Sequence, residues 1–141
     1  MKSFAALINP DLNVFLLFLS ENGFPNAKTT PLINALLEYQ NVQIRYLNIT
    51  QYAEGTPIEA LINKGELSRS KYQIEHTADV LRFLTLWKYG GTYLDLDVVV
   101  LKPLDSISNY ASAESSQFVS IGIINTSLDG IGHEIVDMCL K

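Results

Sequence analysis

The sequence predicts an α/β domain built on a mainly parallel sheet. Three observations carry that reading. Short apolar runs of strand length alternate with segments of helical periodicity, and glycine, proline and polar clusters separate them. The strongest helix signal then feeds through a glycine pair straight into an apolar, strand-like run. With 141 residues, 48% of them hydrophobic, the chain can bury one ordinary core, and no repeat, linker or low-complexity tract divides it.

The elements follow in order. Val14-Phe15-Leu16-Leu17-Phe18-Leu19 is a continuous apolar run closed by Ser20-Glu21-Asn22-Gly23, the pattern of a parallel strand covered on both faces. Thr30-Pro31 opens a helix, threonine as cap and proline at the first position, in which Leu32, Ala35, Leu36 and Tyr39 recur at helical spacing. Val42, Ile44 and Tyr46 alternate through a second strand. Thr56-Pro57 begins a short helix through Leu61 and Ile62 that ends near Gly65, and the polar stretch Glu66 to Lys71 reads as a loop. From about His76 to Tyr89, the residues Val80, Phe83, Leu84 and Trp87 fall at i, i+3, i+4 and i+7, an amphipathic helix ended by Gly90-Gly91. The run KYGGTYLDLDVVVL, Lys88 to Leu101, reads as a buried strand stopped by Lys102-Pro103. Gln117 to Ile124 reads as a further strand and His133 to Leu140 as a helix.

Several classes of function are disfavoured. The formal net charge is −5 and the ten basic residues are scattered rather than striped, which argues against a nucleic-acid partner. The longest apolar run, Val14 to Leu19, is far below the ~20 residues that cross a bilayer, and no signal-peptide pattern opens the chain. Cys139 stands alone, so no disulfide forms within the chain. His76 and His133 have no metal-ligand spacing, and no Ser-His-Asp arrangement, Walker loop or G-x-G-x-x-G is present. Asn48-Ile49-Thr50 and Asn125-Thr126-Ser127 fit the glycosylation sequon and point to a secretory compartment.

The chemistry sits in the run from Lys88 to Leu101. Strand alternation puts Tyr93, Asp95, Asp97 and Val99 on one face, with the two aspartate Cα atoms roughly 6–7 Å apart. Two ionised acids beside a core lose hydration and repel each other. Two readings meet that cost. Either the strand end is wet, or paired with Lys88 or Lys102, or the acids share a hard divalent cation such as Mg or Mn with substrate phosphates. The second is favoured because strand carboxyl ends are where open α/β sheets bind ligands. Asp79 and Arg82, three apart in the preceding helix, read on spacing alone as an ordinary helical ion pair.

The composite Ala78-Asp79-Val80-Leu81-Arg82, then Leu86-Trp87-Lys88-Tyr89-Gly90-Gly91-Thr92-Tyr93-Leu94-Asp95-Leu96-Asp97, closely resembles the DXD-containing sugar-transferase family. That family includes α-1,4-galactosyltransferases of glycolipid synthesis and α-1,4-N-acetylglucosaminyltransferases. The similarity runs through most of the chain and is strongest from His76 to Leu104. The resemblance implies a GT-A type, Rossmann-like nucleotide-sugar-binding fold spanning residues 1–141 as part of a catalytic domain. It further implies retaining transfer of galactose or N-acetylgalactosamine from a UDP-sugar to a glycolipid, with Mn as cofactor. On the family's pattern Asp97 ligates the metal, and Asp95 holds the ribose and donor sugar and reaches the metal. Asp79, Arg82 and Tyr93 then belong to the donor-sugar site, and Gly90-Gly91 make the tight turn beneath it. Kinship also implies the lumenal side of the Golgi, through a membrane anchor outside this sequence.

Departures from the pattern are Ala78, where the family usually has serine, and Ile121-Gly122, where it has Asn-Gly. The family also extends at both ends, with a uracil-packing strand expected before Met1 and acceptor-binding segments after Lys141. Two alternatives stay open at this stage. One is a polypeptide inactive without its flanks; the other is a Mg-dependent phosphohydrolase of the haloacid dehalogenase type, against which Val98-Val99 follow Asp97 where that family has Gly-Thr.

Overall fold

The structure is a computed structural model and describes residues 11–19, 31–104 and 106–141. The turn expected at Ser20 to Gly23 and the Thr30 cap lie outside the described residues, as does the side chain of Leu32. The chain divides into two compact units, Met1–Tyr52 with Val99–Ser106, and Ala53–Val98 with Ile107–Lys141.

In the first unit, β1 (Val14–Leu19) pairs with β2 (Val42–Leu47) in parallel, Val14 opposite Val42 through Leu19 opposite Leu47. Helix α1 (Pro31–Leu37) lies between them in sequence, as a parallel pair requires a crossover. Phe18 stacks on Tyr46 with ring centroids 5.7 Å apart. The expectation that β1 is covered on both faces is corrected: Val14, Leu16 and Phe18 are half-buried while Phe15, Leu17 and Leu19 alternate outward and are exposed. A short helix α2 (Ile49–Ala53) follows, capped by Asn48, whose Oδ1 accepts from the backbone N–H groups of Thr50 and Gln51 at 3.0 and 3.2 Å.

The second unit holds α3 (Glu59–Asn63), α4 (Gln73–Tyr89), β3 (Gly91–Leu94), β4 (Tyr110–Ala113), β5 (Val119–Thr126) and α5 (Gly130–Cys139). Helix α4 buries Leu84 from the expected stripe, but also Arg82 and Leu86 on the other side, so it is covered on two faces rather than one. Against it packs α5, where the Trp87 indole N–H donates to Asp137 Oδ1 at 3.0 Å and the Trp87 ring lies 5.4 Å from that of His133.

The sheet of this unit corrects the mainly parallel expectation. Its order is β3-β5-β4 and both pairings are antiparallel. The reason is the connection. Among the described residues no helix stands between β3 and β5 to carry a parallel crossover, and β4 returns into β5 through a tight reversal in which Phe118 O accepts from the backbone N–H groups of Glu114 and Ser115. The fold is therefore mixed α/β, with one small parallel and one small antiparallel sheet. Among the described residues no helix is long and apolar enough to cross a membrane.

Candidate functional site

The site is built where α4 runs into β3. Gly90 and Gly91 take φ of +61° and +89°, left-handed values that suit glycine and let the helix reverse directly into the strand. A Cβ on Gly90 would meet the backbone at Leu128 N and Thr126 O, 2.9 and 3.0 Å away, so the turn is also packed against the end of β5. The glycines thus sit at the start of β3, while Asp95 follows its last residue.

At that far end Arg82 gathers the polar groups. Its side chain is only 7% exposed. One guanidinium nitrogen donates to Asp79 Oδ1 at 3.0 Å, and the other donates to Asp95 Oδ1 at 3.0 Å and lies 3.5 Å from the Tyr93 hydroxyl. The guanidinium also stacks over the Tyr93 ring, 4.6 Å from its centroid. Tyr93 completes the set by donating its O–H to the same Asp95 Oδ1 at 2.8 Å. Burial works against the charge of Arg82, but its contacts with Tyr93, Asp95 and Asp79 outweigh that and lift its pKa above the ordinary range. Burial, helped by the hydrogen bond to Asp95, likewise raises the Tyr93 phenol, which therefore remains a donor at neutral pH.

The two acids of the D-x-D differ. The strand ends at Leu94, because the Asp95 N–H turns to Gly122 O at 2.8 Å and a turn closes with Val98 N–H donating to Asp95 O at 3.1 Å. The run that reads as strand to Leu101 is thus corrected: the alternation rule stops before Asp97, and Leu96 and Leu101 are 87% and 79% exposed. Asp95 has Oδ1 fixed by two donors and Oδ2 free of them. Asp97 stands exposed in the turn, with no hydrogen bond or ion pair among the described residues.

The structure therefore brings together Asp79, Arg82, Tyr93 and Asp95, leaves Asp97 exposed in the turn two residues past Asp95, and sets Gly90 and Gly91 at the opposite end of β3. Asp79 and Arg82 do form the helical ion pair, but Arg82 reaches Asp95 as well. Sequence reasoning treated Gly122 only as a departure. A Cβ there would lie 2.9 Å from Asp95 Oδ2 and 3.4 Å from Ser120 Oγ, so this glycine keeps the space in which the free oxygen of Asp95 sits. The signal was present in the glycine itself, inside a strand pattern, where close approach of another group is a common cause.

Asp79 and Asp95 face one guanidinium, and with the exposed Asp97 two residues past Asp95 the group carries two formal negative charges in excess. Such a surface repels a diphosphate unless a cation intervenes. The donors that remain, Asp95 Oδ2 and Asp97, are hard oxygens suited to Mg or Mn. Among the described residues no three His, Cys, Asp or Glu converge to hold a metal.

Comparison with known proteins gives the following. The family of glycosyltransferase sugar-binding regions containing a DXD motif matches residues 3–114. Human alpha-1,4-N-acetylglucosaminyltransferase is 30% identical over 122 residues, covering 84% of this chain and 36% of the relative. Mouse lactosylceramide 4-alpha-galactosyltransferase is 30% identical over 140 residues, covering 96% and 37%. The chain thus spans a little over a third of the length of these relatives. No solved structure matches it.

Proposed function

The chain belongs to the glycosyltransferase family whose sugar-binding region contains a DXD motif, and from that premise we propose that it binds the donor in hexose transfer from a UDP-sugar. The observation that carries the reading is the split environment of Asp95. One oxygen is locked by Arg82 and Tyr93 and the other accepts no hydrogen bond among the described residues, while Asp97, two residues on, is exposed and without a partner among them. The names of the relatives support α-1,4 transfer of galactose or an N-acetylhexosamine, with a glycolipid acceptor, and the two glycosylation triplets support a lumenal, Golgi setting as part of the same proposal. The GT-A architecture is part of the same proposal.

In this reading Asp97 and Asp95 Oδ2 hold Mn. The ion, when bound, supplies positive charge where the diphosphate leaving group accumulates negative charge. The chain's own residues set the stage. Arg82 is a positioning residue: buried and already committed, it fixes the carboxylate plane of Asp95 in advance of ligand. Tyr93 keeps its proton and holds the same oxygen. Asp79 has a half-exposed carboxylate with Oδ1 on Arg82, and its second oxygen is available to a sugar hydroxyl. Gly90 and Gly91 set the helix-to-strand turn and Gly122 leaves room for Asp95 Oδ2.

The test is transfer itself. A protein extended to the length of its relatives, given radiolabelled UDP-galactose, UDP-N-acetylgalactosamine or UDP-N-acetylglucosamine with lactosylceramide and simple glycosides, is expected to label an acceptor only with Mn present. Labelling that proceeds equally after chelation, or in the Asp97→Ala variant, would contradict the proposal.

A further inference from the structure

The two glycosylation triplets both fit the sequon but stand in opposite structural settings. We propose that Asn48 is the N-glycosylated residue of this chain and that Asn125 stays bare. The inference rests on the lumenal setting proposed above.

Asn48 is exposed, lies between β2 and α2 rather than inside either, and is followed by an exposed Thr50. Its amide is divided in a useful way. Oδ1 accepts from the backbone N–H groups of Thr50 and Gln51 and so caps α2, while Nδ2 donates to nothing among the described residues. Modification uses only the nitrogen. The Nδ2–C bond forms to the anomeric carbon of an oligosaccharide carried on a polyprenyl diphosphate. The anomeric C–O bond to phosphate breaks, the amide gives up one proton, and the polyprenyl diphosphate departs. The carbonyl oxygen survives this exchange, so a glycan at Asn48 leaves the α2 cap in place.

Asn125 has no such freedom. It is half-buried within β5, the central strand of its sheet, opposite Thr92 on one side and Tyr110 on the other. Its Oδ1 accepts from the backbone N–H of Asn109 at 2.9 Å, and because a backbone nitrogen can only donate, this fixes which end of the amide is oxygen. Nδ2 then donates to Thr92 Oγ1 at 2.7 Å. The hydroxyl of the triplet is spent as well, since Ser127 Oγ donates to Asp129 O at 2.6 Å while Ser127 N donates to Asn109 Oδ1 at 2.7 Å. A sugar on Asn125 would replace a hydrogen on the nitrogen already held 2.7 Å from Thr92 Oγ1, on a half-buried strand residue flanked by β3 and β4, whereas at Asn48 the nitrogen is exposed and uncommitted among the described residues.

The test uses the full-length natural product expressed in eukaryotic cells with a reporter sequon appended at its C-terminus. Glycans are released enzymatically in heavy-oxygen water, which marks each formerly occupied asparagine, and peptides are mapped by mass spectrometry. The expected result is a mark at Asn48 and the reporter, none at Asn125, and loss of one glycan's mobility shift in Asn48→Gln but not in Asn125→Gln. A mark at Asn125, or an unmarked Asn48 with an occupied reporter, overturns the assignment and leaves the lumenal setting intact. A bare reporter overturns both.

Discussion

Arg82 donates to Asp95 Oδ1 at 3.0 Å across thirteen positions of sequence, joining the middle of α4 to the end of β3. That bond converts an ordinary helical ion pair into the anchor of the D-x-D. It also sets the first expectation. Arg82→Ala leaves Asp79 and Asp95 without their shared cation and removes the stacking on Tyr93. A fully buried broken pair costs about 3–5 kcal/mol. Here the carboxylates are 46% and 35% exposed, and water can partly replace the partner, so about 1–3 kcal/mol is expected. Thermal denaturation should show Tm lowered by roughly 3–10 °C, and an unchanged Tm would remove Arg82 from its anchoring role.

Gly122→Ala separates positioning from stability. The new methyl would press on Asp95 Oδ2, the far end of a side chain, and on Ser120 Oγ, not on backbone. The expected loss of stability is below about 1 kcal/mol, while Mn affinity falls about tenfold because the free oxygen of Asp95 is pushed aside. Calorimetric titration with Mn and UDP beside a melting curve reads both quantities. Equal metal affinity in the two proteins would show that Asp95 Oδ2 is not a ligand.

The α4–α5 contact has an acid-sensitive tie. The Lys141 ammonium first, and the Trp87 N–H second, hold the Asp137 carboxyl below its usual range. A lowered pKa contributes stability that is present above the ordinary aspartate value, about 3.9, and is lost as pH falls through the folded value. Trp87 is the one tryptophan of the chain, so its fluorescence reports this contact directly. An emission step below pH ~3.9 is expected, absent in Asp137→Asn. A step of the same size and position in that variant would mean that another group is being read.

Much of this architecture is legible in the sequence, for reasons that differ by element. The parallel pairing of β1 and β2 follows from two apolar runs with a helix between them, and α4 from its heptad-like apolar spacing and closing glycines. What the sequence hides is pairing decided elsewhere. The run Tyr93 to Leu101 has strand composition throughout, but β3 finds its partner only as far as Leu94 opposite Ile123, so the remaining valines never enter the ladder. Strand β4, Tyr110-Ala111-Ser112-Ala113, is short and small-residued and gives no β-branched signal. For Arg82, helical spacing reveals Asp79 and nothing else, since Asp95 comes within reach only once the glycine turn folds β3 back against α4.

The central claim is that a divalent cation held by Asp95 and Asp97 recruits the diphosphate of a UDP-sugar. Asp97 isolates it, being exposed and without a partner among the described residues, so Asp97→Ala should change stability by no more than about 0.5 kcal/mol. The decisive measurement is calorimetric titration of UDP-galactose into the native protein and this variant, each with and without Mn. The account requires binding that appears only with Mn and falls at least tenfold in Asp97→Ala at unchanged Tm. Binding of equal strength without Mn, or untouched by the substitution, would contradict it.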